Sequence, residues 1–350
     1  MDIIGKIQSL KYTHALENKK FNEYNLLNLK EAFENDSSFM LNIDEINKFA
    51  VSWWVSSKRT CSYPYARVYD TLTYTGKRIT VIPVYKDEGK DGDRDFLQWD
   101  TISLMSLLGV NVIIAYYTNA EKNIKYKNKI TNQRFDIEHV SSEIKRHVSY
   151  QSDPLHWNLE QVDNIVDLSK KAVEAYKKIS EKTKVIMHSE KNILEKINFL
   201  TQSKENFMLS SRKLSREAQK REIVTLQPKE NINTGEKSTV TISNYLGGYY
   251  YFTADEARIF NNSILLVEAK HSSNSSIPSI DDIKDGLIKM ILFSNVKKAA
   301  AQEKEYNVVP ILKLTGINSN LSERQITVLN SLKKEAEANG FFVEYNGGVI

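Results

Sequence analysis

The sequence predicts a mixed α/β protein, because β-branched apolar runs alternate with apolar stripes at helical spacing near both ends of the chain, and a long helical stretch lies between them. Residues 1–50 read as amphipathic helices of mixed charge, with Asp44 capping Glu45 to Ala50. Ile79-Thr80-Val81-Ile82-Pro83-Val84-Tyr85 is strand-like, and Pro83 marks it as an edge or a bulge. Thr101 to Leu108 reads as a helix that stops before Gly109, and Val110 to Tyr117 as a buried strand. Residues 155–222 are mostly helical, capped by Asn158, with Val162, Ile165, Val166, Ala172, Val173, Tyr176 and Ile179 on the apolar side. Pro228 to Gly235 has loop composition. Three regions are therefore expected: an α/β region over 1–150, a helical connector over 151–228 and a second α/β region over 229–350.

Composition narrows the class. The chain has 350 residues, 41% hydrophobic and 26% charged, as expected of a globular protein with about two domains. Cys61 is its only cysteine, which excludes an intrachain disulfide or a cysteine-based zinc cluster and favours a cytoplasmic protein. No run approaches a membrane span, and Met1 to Lys6 is too polar to open a signal peptide. The net charge of +4 permits nucleic-acid binding without requiring it.

The most informative stretch is Ile264-Leu265-Leu266-Val267-Glu268-Ala269-Lys270, with Asp255 thirteen positions before Glu268. Side chains alternate along a strand, so Glu268 and Lys270 share a face. A hairpin turning at Asn261-Asn262-Ser263 brings Asp255 level with them. Two carboxylates offer hard oxygens to Mg²⁺, and a lysine beside them suits phosphodiester hydrolysis, where it orients water or offsets developing negative charge. Glu-x-Lys also occurs at Glu17/Lys19, Glu88/Lys90 and Glu143/Lys145, but only at 268–270 does it end a β-branched run. The plain alternative is an exposed edge-strand pair that discourages aggregation. Downstream, Ser279 is an N-cap with Asp282 three residues later, Ile283 to Val296 carries a helical stripe, and Asn307 to Leu314 reads as a strand.

That order of strand, strand with Glu-x-Lys, helix and strand over residues 249–314 resembles the PD-(D/E)XK nuclease superfamily, and within it the type II restriction endonucleases. The resemblance implies a restriction-endonuclease-like core, a mixed central sheet flanked by helices. It also implies a Mg²⁺-dependent, site-specific endonuclease of double-stranded DNA, acting as a homodimer and accompanied by a DNA methyltransferase for the same site. Asp255 and Glu268 match the family's metal-binding acids and Lys270 its lysine. Ala254 stands where the motif has proline, and Glu256 adds an acid that serves as an alternative or second ligand.

Arg212, Lys213, Arg216, Gln219 and Lys220 lie on one helical stretch and are candidates to hold phosphates or read bases. The competing view is a solvated helix laced by local charge pairs. Glu217 or Glu222 on that helix is expected to approach the metal, and Lys289 to touch the scissile phosphate. Trp53-Trp54 with Lys58 and Arg59 suits base stacking or a core. The acidic tract 86–100 follows a strand and precedes a helix and a strand, which leaves open a second nuclease-like core in the N-terminal region, or a nuclease or nucleotide hydrolase whose site is this loop. Its Asp87 to Asp93 portion has turn composition. A DNA-binding protein without catalysis is the remaining reading.

Overall fold

The computed structural model describes residues 1–16, 20–58, 63–189, 204–224, 236–317 and 320–350. It is mixed α/β, and it divides into two compact units rather than three consecutive regions: Met1–Lys19 with Arg212–Ile350, and Lys20–Ser211. The N-terminal segment joins the C-terminal unit because β1 (Asp2–Ile7) is a strand, with Ile3, Gly5 and Ile7 turned inward in strict alternation. Arg59, Cys61, the loop from Pro228 to Gly235 and the side chain of Glu222 lie outside the described residues.

In the Lys20–Ser211 unit, β2 (Glu23–Asn25) leads into α1 (Leu29–Asn35), then β3 (Ser38–Asn42), β4 (Lys48–Trp53), α2 (Pro64–Leu72) and β5 (Lys77–Pro83). Next come the short β6 (Tyr85–Asp87) and β7 (Arg94–Phe96), α3 (Trp99–Leu107), β8 (Asn111–Ala115), β9 (Tyr117–Lys122) and β10 (Ile130–Phe135). Helices α4 (Ile137–Val148), α5 (Pro154–Asp163) and α6 (Ile165–Thr183) follow. The central sheet runs β2-β3-β4-β5-β8.

Three expectations are corrected here. Residues 38–53 form a hairpin, because Phe39-Met40-Leu41 and Phe49-Ala50-Val51 are buried without helical spacing, and Asp44 accepts from the Ile46 and Asn47 amides in the turn rather than capping a helix. Pro83 sits in an interior strand, at its last paired position, where a missing N–H interrupts no ladder beyond it. Asn158 lies within α5, which Asp153 caps through the His156 amide. Asn158 and Gln161 instead accept the Val112 and Ile114 amides on the outer side of β8, satisfying donors that an edge strand leaves unpaired.

The other unit takes up α7 (Lys204–Val224) from Arg212 onward and continues through β11 (Glu236–Asn244), β12 (Tyr249–Phe260), β13 (Ser263–His271) and α8 (Ile280–Ser294). It ends with β14 (Lys298–Ala301), β15 (Lys304–Thr315), α9 (Glu323–Asn339), β16 (Phe342–Tyr345) and β17 (Gly348–Val349). The eight-stranded sheet is ordered β13-β12-β11-β1-β14-β15-β16-β17, and β13 also pairs with β15, so the hydrogen-bonded order returns on itself. β1 runs parallel to β11, from Asp2 opposite Thr239 to Ile7 opposite Asn244. Gly5 is required there, since a Cβ would stand 2.6 Å from Val296 Cγ1.

A buried carboxylate fastens the chain after β1. Glu335 on α9 accepts from the Tyr12 hydroxyl at 2.8 Å and from the amides of Ala15 and Leu16 at 2.8 and 2.7 Å. Burial, reinforced by the adjacent Glu335 charge, pushes the Tyr12 hydroxyl far above its ordinary range, so it remains a donor.

Candidate active site

β12 and β13 form the expected hairpin, with a tighter turn: Phe260 pairs with Ser263, leaving Asn261 and Asn262 as its two loop residues, and Asn261 takes φ 53°. The register sets Glu256 opposite Val267. On its other side β13 runs parallel to β15, placing Glu268 beside Leu312 and Lys270 beside Leu314. The pairing with β12 ends at Val267, but Glu268 is only 2% exposed, so the Glu268–Lys270 pair is not a solvated edge-strand device. A buried carboxylate needs a stronger reason than solubility.

Glu268 and Lys270 lie together as the alternation requires, and Asp255 on β12 binds the backbone between them. Lys270 Nζ lies 3.0 Å from Glu268 Oε1, and Asp255 Oδ2 accepts the Ala269 amide at 2.7 Å. Two residues of α8 complete the group. Lys289 Nζ sits 2.6 Å from Glu268 Oε2 and 3.3 Å from the Thr253 carbonyl, while Asp285 Oδ2 lies 2.9 Å from Lys270 Nζ. Asp285 and Lys289 are four residues apart, so one helix face delivers both. Ser279 starts α8 by accepting the Asp282 amide, as expected, and Asp281 and Asp282 complement the positive end of the helix.

Gly286, in the middle of α8, explains how the helix comes so close. A Cβ there would lie 2.8 Å from Leu312 Cδ1 and 3.4 Å from Lys270 Cε. An interior helix glycine costs about 1 kcal/mol relative to alanine. Here it opens the space that the Lys270 stem occupies.

Burial alone would raise the Glu268 carboxyl, but Lys289 and Lys270 outweigh it and hold the group below the usual carboxylate range. Burial likewise opposes the charge on Lys270, yet Glu268 and Asp285 push its ammonium well above the lysine range. The linkage signs follow. A depressed carboxyl stabilises the fold above its unfolded value, about 4.3, and loses that contribution as pH falls through the folded value. A raised lysine stabilises below about 10.4 and loses the contribution as pH rises through the folded value. The melting temperature of the wild type relative to Glu268→Gln is therefore expected to differ most between about pH 5 and 10, with the gap narrowing at either extreme. A gap constant across an acid-to-alkaline scan would contradict this electrostatic account.

The other candidates are placed differently. Glu256 is buried and ion-paired to Arg258 on its own strand. Gln219 does not face outward as a base reader: at 4% exposure its amide donates to the Val240 and Phe252 carbonyls at 3.3 and 2.7 Å. The seam of α7 against the sheet is polar, because the Arg212 and Arg216 guanidinium groups lie 4.3 and 5.7 Å from the ring centroids of Tyr249 and Tyr251. Arg212 also donates to the Gly247 carbonyl. Lys213, Arg216, Glu217 and Lys220 are exposed, and no described contact joins Glu217 to Asp255 or Glu268.

The acidic tract forms the β6–β7 hairpin around the turn its composition suggests. Asp87 holds the Gly89 amide and His188 Nδ1, Glu88 pairs with Lys86 and Lys129, and Asp95 is engaged by Ser56 and Lys58. These pairings give its charges structural partners. Trp54 is fully buried, whereas Trp53 is half-buried with Arg67 over its ring at 4.5 Å.

Asp285 is the member of the site that the sequence reading missed. Its position two residues after the capped first turn, four before Lys289 and beside a glycine was the available signal. No group of three or more His, Cys, Asp or Glu side chains suited to hold a metal occurs among the described residues. No described helix is long and apolar enough to cross a membrane. No family model, curated protein or solved structure matches the chain.

Proposed function

We propose that the unit formed by residues 1–19 and 212–350 is a Mg²⁺-dependent endonuclease core of the PD-(D/E)XK kind, hydrolysing double-stranded DNA at specific sites as type II restriction enzymes do. The observation that carries this reading is Glu268 buried against Lys270 and Lys289, with Asp255 of the adjacent strand bound to the Ala269 amide between Glu268 and Lys270. The chain order α7-β11-β12-β13-α8-β14-β15, in which an antiparallel pair is followed by a helix and the short β14 before the parallel neighbour β15, supports it.

Asp255 and Glu268 are the groups that would hold the cation, and their hard carboxylate oxygens suit Mg²⁺. Bound there, Mg²⁺ would polarise a phosphate oxygen and acidify a coordinated water. The chain's own residues supply the rest. The Ala269 amide fixes the orientation of Asp255, and Lys270 and Lys289 bring positive charge to where a phosphate becomes more negative during attack. The exposed Lys213, Arg216 and Lys220 are assigned to phosphates outside the site, while Arg212 and Gln219 hold α7 on the sheet. Two such sites in a homodimer would cut the two strands, and a companion DNA methyltransferase would protect the same sequence.

The test is incubation of the protein with unmethylated phage-sized DNA in Mg²⁺, beside Lys270→Ala and Glu268→Ala. Discrete fragments formed by the wild type, absent with a chelator and absent with both folded variants, are expected. Cutting that survives both substitutions would move the chemistry elsewhere, and DNA binding without cutting would favour a non-catalytic DNA-binding protein.

A further inference from the structure

We propose that Asp285 sets the affinity of the site for its divalent cation by offering Lys270 a second carboxylate to stay with when the cation takes its place on Glu268; this rests on the metal-dependent reading above. Both carboxylate oxygens of Glu268 carry an ammonium, Lys270 on Oε1 at 3.0 Å and Lys289 on Oε2 at 2.6 Å. A cation that binds Glu268 must displace one of them or share an oxygen with it, where the two positive charges repel.

Lys270 is equipped to yield, because a second carboxylate, Asp285, already stands 2.9 Å from its Nζ. When Lys270 leaves Glu268 it remains an ion pair, so the exchange does not strand a buried charge. Local construction favours the same movement. Gly286 follows Asp285 directly and lets the Lys270 stem lie along α8, so a small swing of the ammonium trades one carboxylate for the other. Without Asp285, Glu268 would be the remaining carboxylate recorded within ion-pair distance of Lys270, and the lysine would compete with the incoming cation more strongly. Asp285 is thus a positioning residue that acts through Lys270.

The experiment measures Mn²⁺ binding to DNA-free, full-length protein by calorimetry and by the loss of the free-ion paramagnetic resonance signal. It compares the wild type, Asp285→Asn, Asp285→Glu, Lys270→Met and the Asp285→Asn/Lys270→Met double variant, each shown folded by thermal melting. Asp285→Asn is expected to weaken binding about tenfold, in the range typical of groups that orient metal ligands. Asp285→Glu restores it, and Asp285→Asn has no further effect once Lys270 is methionine, since contacting residues are non-additive.

Unchanged affinity in Asp285→Asn, or the same loss in both lysine backgrounds, overturns the proposal. The second outcome would mean that Asp285 acts by its own charge or as a ligand. A wild type that binds no Mn²⁺, or binding that survives Glu268→Gln, removes the metal site itself and this proposal with it, whereas the preceding outcomes remove this proposal alone.

Discussion

Glu268→Ala is expected to abolish cleavage and to destabilise its unit by about 3–5 kcal/mol, the cost typical of deleting one partner of a buried ion pair. The two effects have different origins. On the proposed function, cleavage fails because a carboxylate assigned to the metal is gone. Stability falls because Lys270 and Lys289 lose the charge that lies 3.0 and 2.6 Å from them. Glu268→Gln separates the two, since the amide fills the same space and offers an oxygen to one ammonium, so it should be as inactive but less destabilised. Urea unfolding beside the cleavage gel makes the comparison. Equal stability of wild type and Glu268→Ala would show that the lysines find other partners and that the ion cluster does not hold the strands together.

The second large effect is expected in the segment that follows β1. Glu335→Ala removes an acceptor from the Tyr12 hydroxyl and from the Ala15 and Leu16 amides. Hydrogen bonds to a charged group are each worth about 1.5–3 kcal/mol, so a loss of roughly 3–5 kcal/mol follows after partial relaxation. The segment freed is the one that continues from β1, which lies between β11 and β14 in the sheet. Limited proteolysis is the direct check: the variant should be cut in residues 8–16 under conditions that leave the wild type intact. Protection equal to the wild type would mean that the segment is held by its other contacts, among them the hydrogen bonds of Lys11 with Asn295 and of Thr13 with Asn339.

Much of the site is written in local sequence. The run from Ile264 to Lys270, the Asn261-Asn262 turn and the Ser279 cap each depend on neighbours within a few residues, and the hairpin and helix follow from them. Asp285 was harder to see because its partner is Lys270, on another element. Gln219 misled for a related reason: an amide on a charged helix looks available, and only the fold shows that it serves the Val240 and Phe252 carbonyls. The N-terminal strand was missed although Ile3, Gly5 and Ile7 alternate. Six residues that pair with Thr239 to Asn244 carry no mark of such a distant partner. Likewise Asn158 reads as a cap until β8 supplies the amides it accepts.

The parallel pairing of β1 with β11 also imposes an order of events during synthesis. Residues 2–7 leave the ribosome early, but their partners at 239–244 emerge only after the whole Lys20–Ser211 unit has been made. A long loop must therefore be closed before that contact forms, and non-local contacts of this kind are slow to form. The inserted unit can assemble while the leading strand waits. The unit that holds Asp255, Glu268 and Lys270 is thus completed only after the Lys20–Ser211 unit has emerged.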